Sequence, residues 1–282
     1  MNPIQAARAA GQQIWLDNLS RSLINEGHLA RHIEQGVAGV TTNPAIFHKA
    51  IAEGQDYRPA LDAMRNENLS AEQRYERLVI DDVQRACDLM RPVFDAGGGD
   101  AGYVSLEVSP SLADDEAGTV AAARRLRAAV ARDNLLVKIP ATAAGIRAIE
   151  TLTGEGLSIN VTLMFSLTHV DAVAGAYQRG LEALAAAGGD LSRVRSVASV
   201  FLSRWETLID RQLEEMGSEA ALALRGKAGV ALARQAYQAY LARFHGAGFS
   251  ALAARGARPQ SMLWASTGTK NPAYPDLMYV EP

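Results

Sequence analysis

Short apolar runs that end on a polar residue recur along the chain, and most are followed by a stretch with helical spacing. Ile14-Trp-Leu-Asp-Asn18 is the first such run, and Leu19 to Gln35 then carries helical periodicity up to Gly36. Gly39-Val-Thr-Thr-Asn43 predicts a second strand, ended by Pro44. From Pro44 to Gly99 the pattern is mainly helical, with Ser70-Ala-Glu-Gln73 as a capping box before the amphipathic stretch Arg74 to Phe94. Tyr103 to Val108 predicts a third strand, Leu135 to Pro140 a fourth, Ser158 to Phe165 a fifth, Val194 to Leu202 a sixth and Ser261 to Ser266 a seventh. Helices are expected from Thr119 to Arg132, from Ala144 to Leu152, and after Phe165 with Thr168 and Asp171 as caps. Another follows the capping box Ser203-Arg-Trp-Glu206, which puts Arg204 in its first turn, and a last one runs from Glu219 to His245.

Strands that alternate with helices and read as unbroken apolar runs imply a parallel sheet covered on both faces. Seven or eight such units in 282 residues favour an α/β fold of the (β/α)8 TIM-barrel type, one domain over 1–282. A doubly wound open sheet is the alternative. Against it, no Gly-rich phosphate loop follows an early strand, and polar residues close nearly every strand. In a barrel those ends converge on one mouth, where active sites lie.

Composition narrows the class without naming a function. Hydrophobic residues make up 48% of the chain and charged residues 21%, which is ordinary for a globular protein. A net charge of -3 gives no reason to expect nucleic acid as a partner. No run approaches the ~20 apolar residues of a membrane span, and no apolar core of a signal peptide opens the chain, so no membrane partner and a cytoplasmic location are expected. The single cysteine, Cys87, excludes an internal disulfide and sits in a helical context that favours packing. The five histidines show no metal-ligand spacing, so no metal is expected.

The chemistry concentrates at strand ends. Lys138 lies at the far end of the apolar run Leu135 to Pro140; burial disfavours the ammonium form, and a desolvated lysine is an amine nucleophile able to form a Schiff base. The plainer alternative is a lysine that snorkels to water. Around it the pattern supplies Asp17, Asn43, Glu107, Asn160, Thr162 and Ser199, with Arg204 and Lys270 in the segments that follow strands. A Schiff-base aldol reaction needs an amine, a carboxyl to move protons, a second carboxylate for the hydroxyl proton at the cleaved bond, and amides to hold the intermediate. The two cations suit a phosphate, Arg204 especially, at a helix N-terminus. Each residue also has a bland role: Asp17 or Asn43 as helix caps, Glu107 as a solvated strand end, Arg204 as a partner of Glu206 or Asp210. Phe201 is close enough to Ser199 to wall a pocket, although packing is the simpler role for it.

These motifs, in this order, resemble transaldolase, the Schiff-base aldolase family of the pentose phosphate pathway. The resemblance runs from about Asn2 to Glu281 and rests on Ile14-Trp-Leu-Asp-Asn18, Gly39-Val-Thr-Thr-Asn-Pro-Ala-Ile-Phe47, Val137-Lys-Ile-Pro-Ala-Thr142, Ile159-Asn-Val-Thr-Leu-Met-Phe-Ser166 and Trp264-Ala-Ser-Thr-Gly-Thr-Lys-Asn-Pro272. It is strongest toward the bacterial branch that stands alone or is fused to a sugar phosphate isomerase. It implies a (β/α)8 barrel that needs no cofactor. It also implies transfer of a dihydroxyacetone unit from a ketose phosphate such as sedoheptulose 7-phosphate or fructose 6-phosphate to an aldose phosphate.

By position Lys138 matches the Schiff-base lysine, Glu107 the acid/base acting through a water and Asp17 the carboxylate for the C4 hydroxyl. Asn43 and Asn160 match the residues that hold dihydroxyacetone, with Thr162 and Ser199 lining the same site and Arg204 binding phosphate. Lys270 stands where many relatives have a second arginine. Family members continue past the point where Tyr279-Val-Glu-Pro282 stands, so the eighth strand and closing helix are expected to be missing from this chain, a barrel domain shortened at its C-terminal end. An incomplete barrel would leave open strand edges for a second copy or a partner segment to cover. Two further functions fit less closely: a related aldolase acting on another sugar phosphate, and a sugar-phosphate-binding barrel without turnover.

Overall fold

The computed structural model describes residues 2–279. Residues 280–282, where the resemblance ends, lie outside the described residues. The described strands are β1 (Trp15–Asp17), β2 (Gly39–Thr41), β3 (Tyr103–Glu107), β4 (Leu135–Pro140), β5 (Ile159–Met164), β6 (Ser196–Phe201) and β7 (Ser261–Ala265). Helices separate them, which is the element order of a (β/α)8-barrel chain with seven of its strands among the described residues. The chain resolves into two compact units, residues 2–112 with 117–138, and 113–116 with 139–279.

In the first unit β1, β2, β3 and β4 pair in parallel and in chain order, with Asp17 opposite Thr41 and Glu107 opposite Lys138. The predicted strand at Leu135 to Pro140 agrees at both ends, and all six of its residues are buried, as expected of a parallel strand covered on two faces. Helix Ala71–Ala96 begins with the expected capping box of Ser70 and Gln73 and packs Leu78, Val79, Val83, Ala86, Cys87 and Met90 inward. The helical stretch expected from Leu19 to Gln35 is two helices, Arg21–Asn25 and His28–Glu34, because Gly27 turns left-handed at φ 71° between them. Behind β1, buried Asp82 takes Arg21 Nε at 2.8 Å, while the Arg21 backbone N–H donates to the Tyr57 hydroxyl at 2.9 Å. That brace fixes the turn that follows Asp17.

Gly39 shows a close approach that only glycine permits. It pairs with Trp15 across β1 and β2, and a Cβ there would lie 2.4 Å from the indole. Gly39→Ala should therefore destabilise by about 1–3 kcal/mol, the usual cost of overpacking. A urea midpoint that falls with the m-value unchanged would show this, and an unmoved midpoint would contradict it.

In the second unit β5, β6 and β7 pair in parallel. Its core forms between helix Leu167–Ala186 and helices Ala228–Phe244 and Ala247–Ala253, where Tyr177, Leu181, Phe244, Phe249 and Leu252 are buried together. The fifth strand ends in a bulge: register shifts between Val161 and Met164, and Leu163 adopts φ 60°. Two expected caps differ. Ser166, not Thr168 or Asp171, caps helix Leu167–Ala186 by accepting from His169 N, and Asp171 instead pairs with Arg243 at 2.5 Å. Helix Ser203–Met216 has no side-chain cap, because Ser203 Oγ is 2.7 Å from Ser266 Oγ and Glu206 accepts from Ala228 N and Gly229 N. Arg204 still falls in the first turn. No helix among the described residues is long and apolar enough to cross a membrane.

Candidate active site

The first unit brings the nucleophile and the carboxyl candidates together. Parallel register sets Glu107 beside Lys138, and Lys138 Nζ lies 3.2 Å from Glu107 Oε2. The same ammonium donates to the Thr42 carbonyl at 2.9 Å, while Thr42 Oγ1 donates to the Ser105 carbonyl at 2.8 Å. Lys138 is 5% exposed, so the snorkelling alternative is excluded. Thr42 offers no sequence signal for this role, since a backbone carbonyl carries no residue signature.

Glu107 is not the solvated strand end of the bland alternative. Burial raises its carboxyl pKa above the ordinary value, the Lys138 charge and hydrogen bond oppose that, and the Asp17 charge adds to it. A carboxyl with a raised pKa, in contact with an amine, is suited to giving and taking protons near neutral pH. Glu107 also lines a cavity of about 370 Å³ with Tyr75, Leu106 and Ser109. Burial there, with the Glu107 and Glu76 charges, pushes the Tyr75 hydroxyl up to about 12. Asp17 is exposed at the end of β1. Asn43 caps helix Pro44–Glu53, its Oδ1 accepting from Ile46 N at 3.0 Å. Its capping role is therefore present, and the side-chain amide Nδ2 is not used in that bond.

The second unit carries the remaining candidates. Asn160 on β5 and Ser199 on β6 are buried, and Ser199 Oγ donates to Asn160 Oδ1 at 2.8 Å, which orients the amide. Thr162 Oγ1 is buried with no hydrogen-bond partner, a costly state for a hydroxyl unless it serves a ligand or a water. Phe201 packs against Phe165, ring centroids 5.4 Å apart, and the Arg204 guanidinium lies 5.0 Å from the Phe201 centroid. Arg204 does not pair with Glu206 or Asp210: Glu206 holds two backbone amides, and Asp210 accepts from Gly226 N and the Tyr274 hydroxyl. Among the described residues neither Arg204 nor Lys270 has a carboxylate partner, and both are exposed. No group of three or more His, Cys, Asp or Glu able to hold a metal ion occurs among the described residues.

A parallel α/β chain with a buried strand-end lysine against a carboxyl of raised pKa is the framework of a Schiff-base enzyme. Comparison with known proteins is more specific. Residues 14–282 match the family described as transaldolase/fructose-6-phosphate aldolase. A transaldolase of Thiobacillus denitrificans is 55% identical over 283 aligned residues, covering 100% of this chain and 79% of that protein. Transaldolases of Neisseria gonorrhoeae and Mycobacterium marinum are 48% and 49% identical, covering 78% and 76% of those proteins and 100% and 99% of this chain. The chain belongs to the transaldolase/fructose-6-phosphate aldolase family. Similarity to transaldolases along the whole chain makes its function that of a transaldolase, an enzyme of the Schiff-base aldolase class.

Proposed function

We infer that the chain moves a dihydroxyacetone unit from sedoheptulose 7-phosphate or fructose 6-phosphate to an aldose phosphate, in the cytoplasmic pentose phosphate pathway and without a cofactor. The observation that carries this reading is the contact of buried Lys138 Nζ with the Glu107 carboxyl at 3.2 Å, a carboxyl whose pKa burial raises. Glu107 takes the proton that Lys138 must lose, and the amine adds to the donor ketone. Glu107 then, through a water, protonates the carbinolamine oxygen, which leaves as water and gives the iminium.

Asp17 takes the proton of the C4 hydroxyl. The C3–C4 bond breaks, its electron pair enters the iminium to give the enamine, and the shortened aldose phosphate departs. Attack of the enamine on the acceptor aldehyde reverses these steps, and water releases the product ketose and Lys138. Asn43 and Asn160 hold the dihydroxyacetone hydroxyls, with Ser199 aligning the Asn160 amide and the Thr162 hydroxyl bonding the intermediate or its water. Phe201 forms a wall, and Arg204 with Lys270 takes the phosphate.

Donor consumption measured with and without glyceraldehyde 3-phosphate tests the transfer. It should depend strongly on the acceptor, whereas equal release of free dihydroxyacetone in its absence would make the enzyme a simple aldolase. Arg204→Ala should raise the KM for fructose 6-phosphate by roughly tenfold or more, the scale of a charge-assisted hydrogen bond. An unchanged KM would remove Arg204 from the phosphate site.

A further inference from the structure

We propose that the Tyr274–Asp210 hydrogen bond is a pin that positions Lys270 for the substrate phosphate, making Tyr274 and Asp210 positioning residues of the transfer reaction. This rests on the assignment of Arg204 and Lys270 to the phosphate.

The segment from Ser266 to Tyr274 is fastened at both ends to one helix, Ser203–Met216. At the first end Leu202 N donates to the Ala265 carbonyl at 2.9 Å, Ser203 N donates to the Ser266 carbonyl at 3.0 Å, and the two serine hydroxyls meet at 2.7 Å. Ser266 is held there at φ 55°, a left-handed conformation that a side-chain-bearing residue keeps only when its surroundings enforce it. At the second end the Tyr274 hydroxyl donates to Asp210 Oδ2 at 2.6 Å. Asp210 is itself fixed, since it is buried and its Oδ1 accepts from Gly226 N at 2.9 Å. Gly226 makes room for the ring: at φ 71°, a Cβ on it would come within 3.1 Å of Tyr274.

Lys270 stands midway, four residues from each fastening. From Ser203 to Asp210 the helix rises roughly 10 Å, whereas the eight steps from Ser266 to Tyr274 can reach roughly 28 Å when extended. The segment does not run extended: it bends at Gly268, Lys270 and Asn271. It is stiffened there by Asn271, whose Oδ1 accepts from Ala273 N and whose carbonyl accepts from Tyr274 N, both at 3.0 Å.

The first fastening adjoins Arg204, so a loop held at both ends limits how far Lys270 can stray from the helix that carries the phosphate arginine. A lysine depends on such a loop more than an arginine does, because its ammonium is a point charge on a flexible stem without a fork to impose its own geometry. Burial and the Asp210 charge hold the Tyr274 phenol above its ordinary range, which keeps it a proton donor in the pin.

Steady-state kinetics with fructose 6-phosphate and with unphosphorylated fructose as donors test the pin. Tyr274→Phe, which removes only the hydroxyl, should raise the KM for fructose 6-phosphate about fivefold, as expected for the loss of one hydrogen bond, and leave activity on fructose unchanged. In the double variant with Lys270→Ala the KM should be no higher than in Lys270→Ala alone, because the pin acts through that lysine. Multiplying effects, or an equal loss on fructose, would make Tyr274 a general brace and overturn the proposal. A Lys270→Ala enzyme with normal KM would instead overturn the phosphate assignment on which it rests. If Tyr274→Phe gives little folded enzyme, Asp210→Asn, which keeps an acceptor for Gly226 N and replaces the charge-assisted bond to Tyr274 by a weaker neutral one donated by the amide, should show the same pattern at a smaller size, and an equal loss on fructose would overturn the proposal there too.

Discussion

Lys138→Ala should give no dihydroxyacetone adduct on treatment with fructose 6-phosphate and borohydride, and should transfer at least about a thousandfold more slowly than the parent enzyme. Intact mass after reduction reads the first effect and a coupled assay the second. The chain has four lysines, at 49, 138, 227 and 270, and only Lys138 is buried, so a single site of reduction is expected. An adduct that persists in Lys138→Ala would mean that another amine is the nucleophile.

The variant should still fold, because Glu107 can stay neutral once its partner is gone. Burial already raises its pKa, and removing the Lys138 charge withdraws the main opposing influence. A carboxyl whose folded pKa exceeds its unfolded value contributes stability below the unfolded pKa, and that stability is lost as pH rises through the folded pKa. Lys138→Ala should therefore melt closest to the parent in mild acid and fall further behind it as the pH rises. A gap that stays constant with pH would contradict this.

The parallel strands were legible because each is covered on two faces and reads as an apolar run; β4 agrees at both ends and β3 overruns by only Val108. The candidate residues were legible because a strand end must change from apolar to polar where it meets a site. Contacts between distant segments were not. Ser203 and Glu206 have the spacing of a capping box, yet both side chains are engaged by groups from elsewhere, Ser266 and the amides of Ala228 and Gly229.

Thr42 supplies a carbonyl, which no side-chain pattern announces. Helix Pro3–Ala9 did leave a signal, the Asn2 and Gln5 capping box with Pro3 at its start, but alanines make a faint apolar stripe beside leucines. Tyr274 was hidden for a related reason: its importance comes from Asp210, 64 residues away in sequence.

Glu107→Gln should lower kcat by about a hundredfold to ten-thousandfold, the range for loss of a positioned acid/base, while leaving Lys138 able to react. The amide keeps the shape of the carboxyl but can neither accept the proton that Lys138 must lose nor donate one to the departing water. Borohydride should therefore still trap dihydroxyacetone on Lys138, only more slowly, which separates this variant from Lys138→Ala. The pH profile is the sharper measurement. Desolvation, reinforced by Asp17, raises the Glu107 pKa against the opposing pull of Lys138. The acid limb of kcat should consequently lie above the ~4.3 of an unperturbed glutamate, with activity rising as the carboxylate forms. In Glu107→Gln that limb should disappear. In Asp17→Asn the like-charge neighbour is gone, so any limb that survives should move down. A limb retained in Glu107→Gln would belong to another group, and Asp17, the other carboxylate in the reaction, would be the first to test.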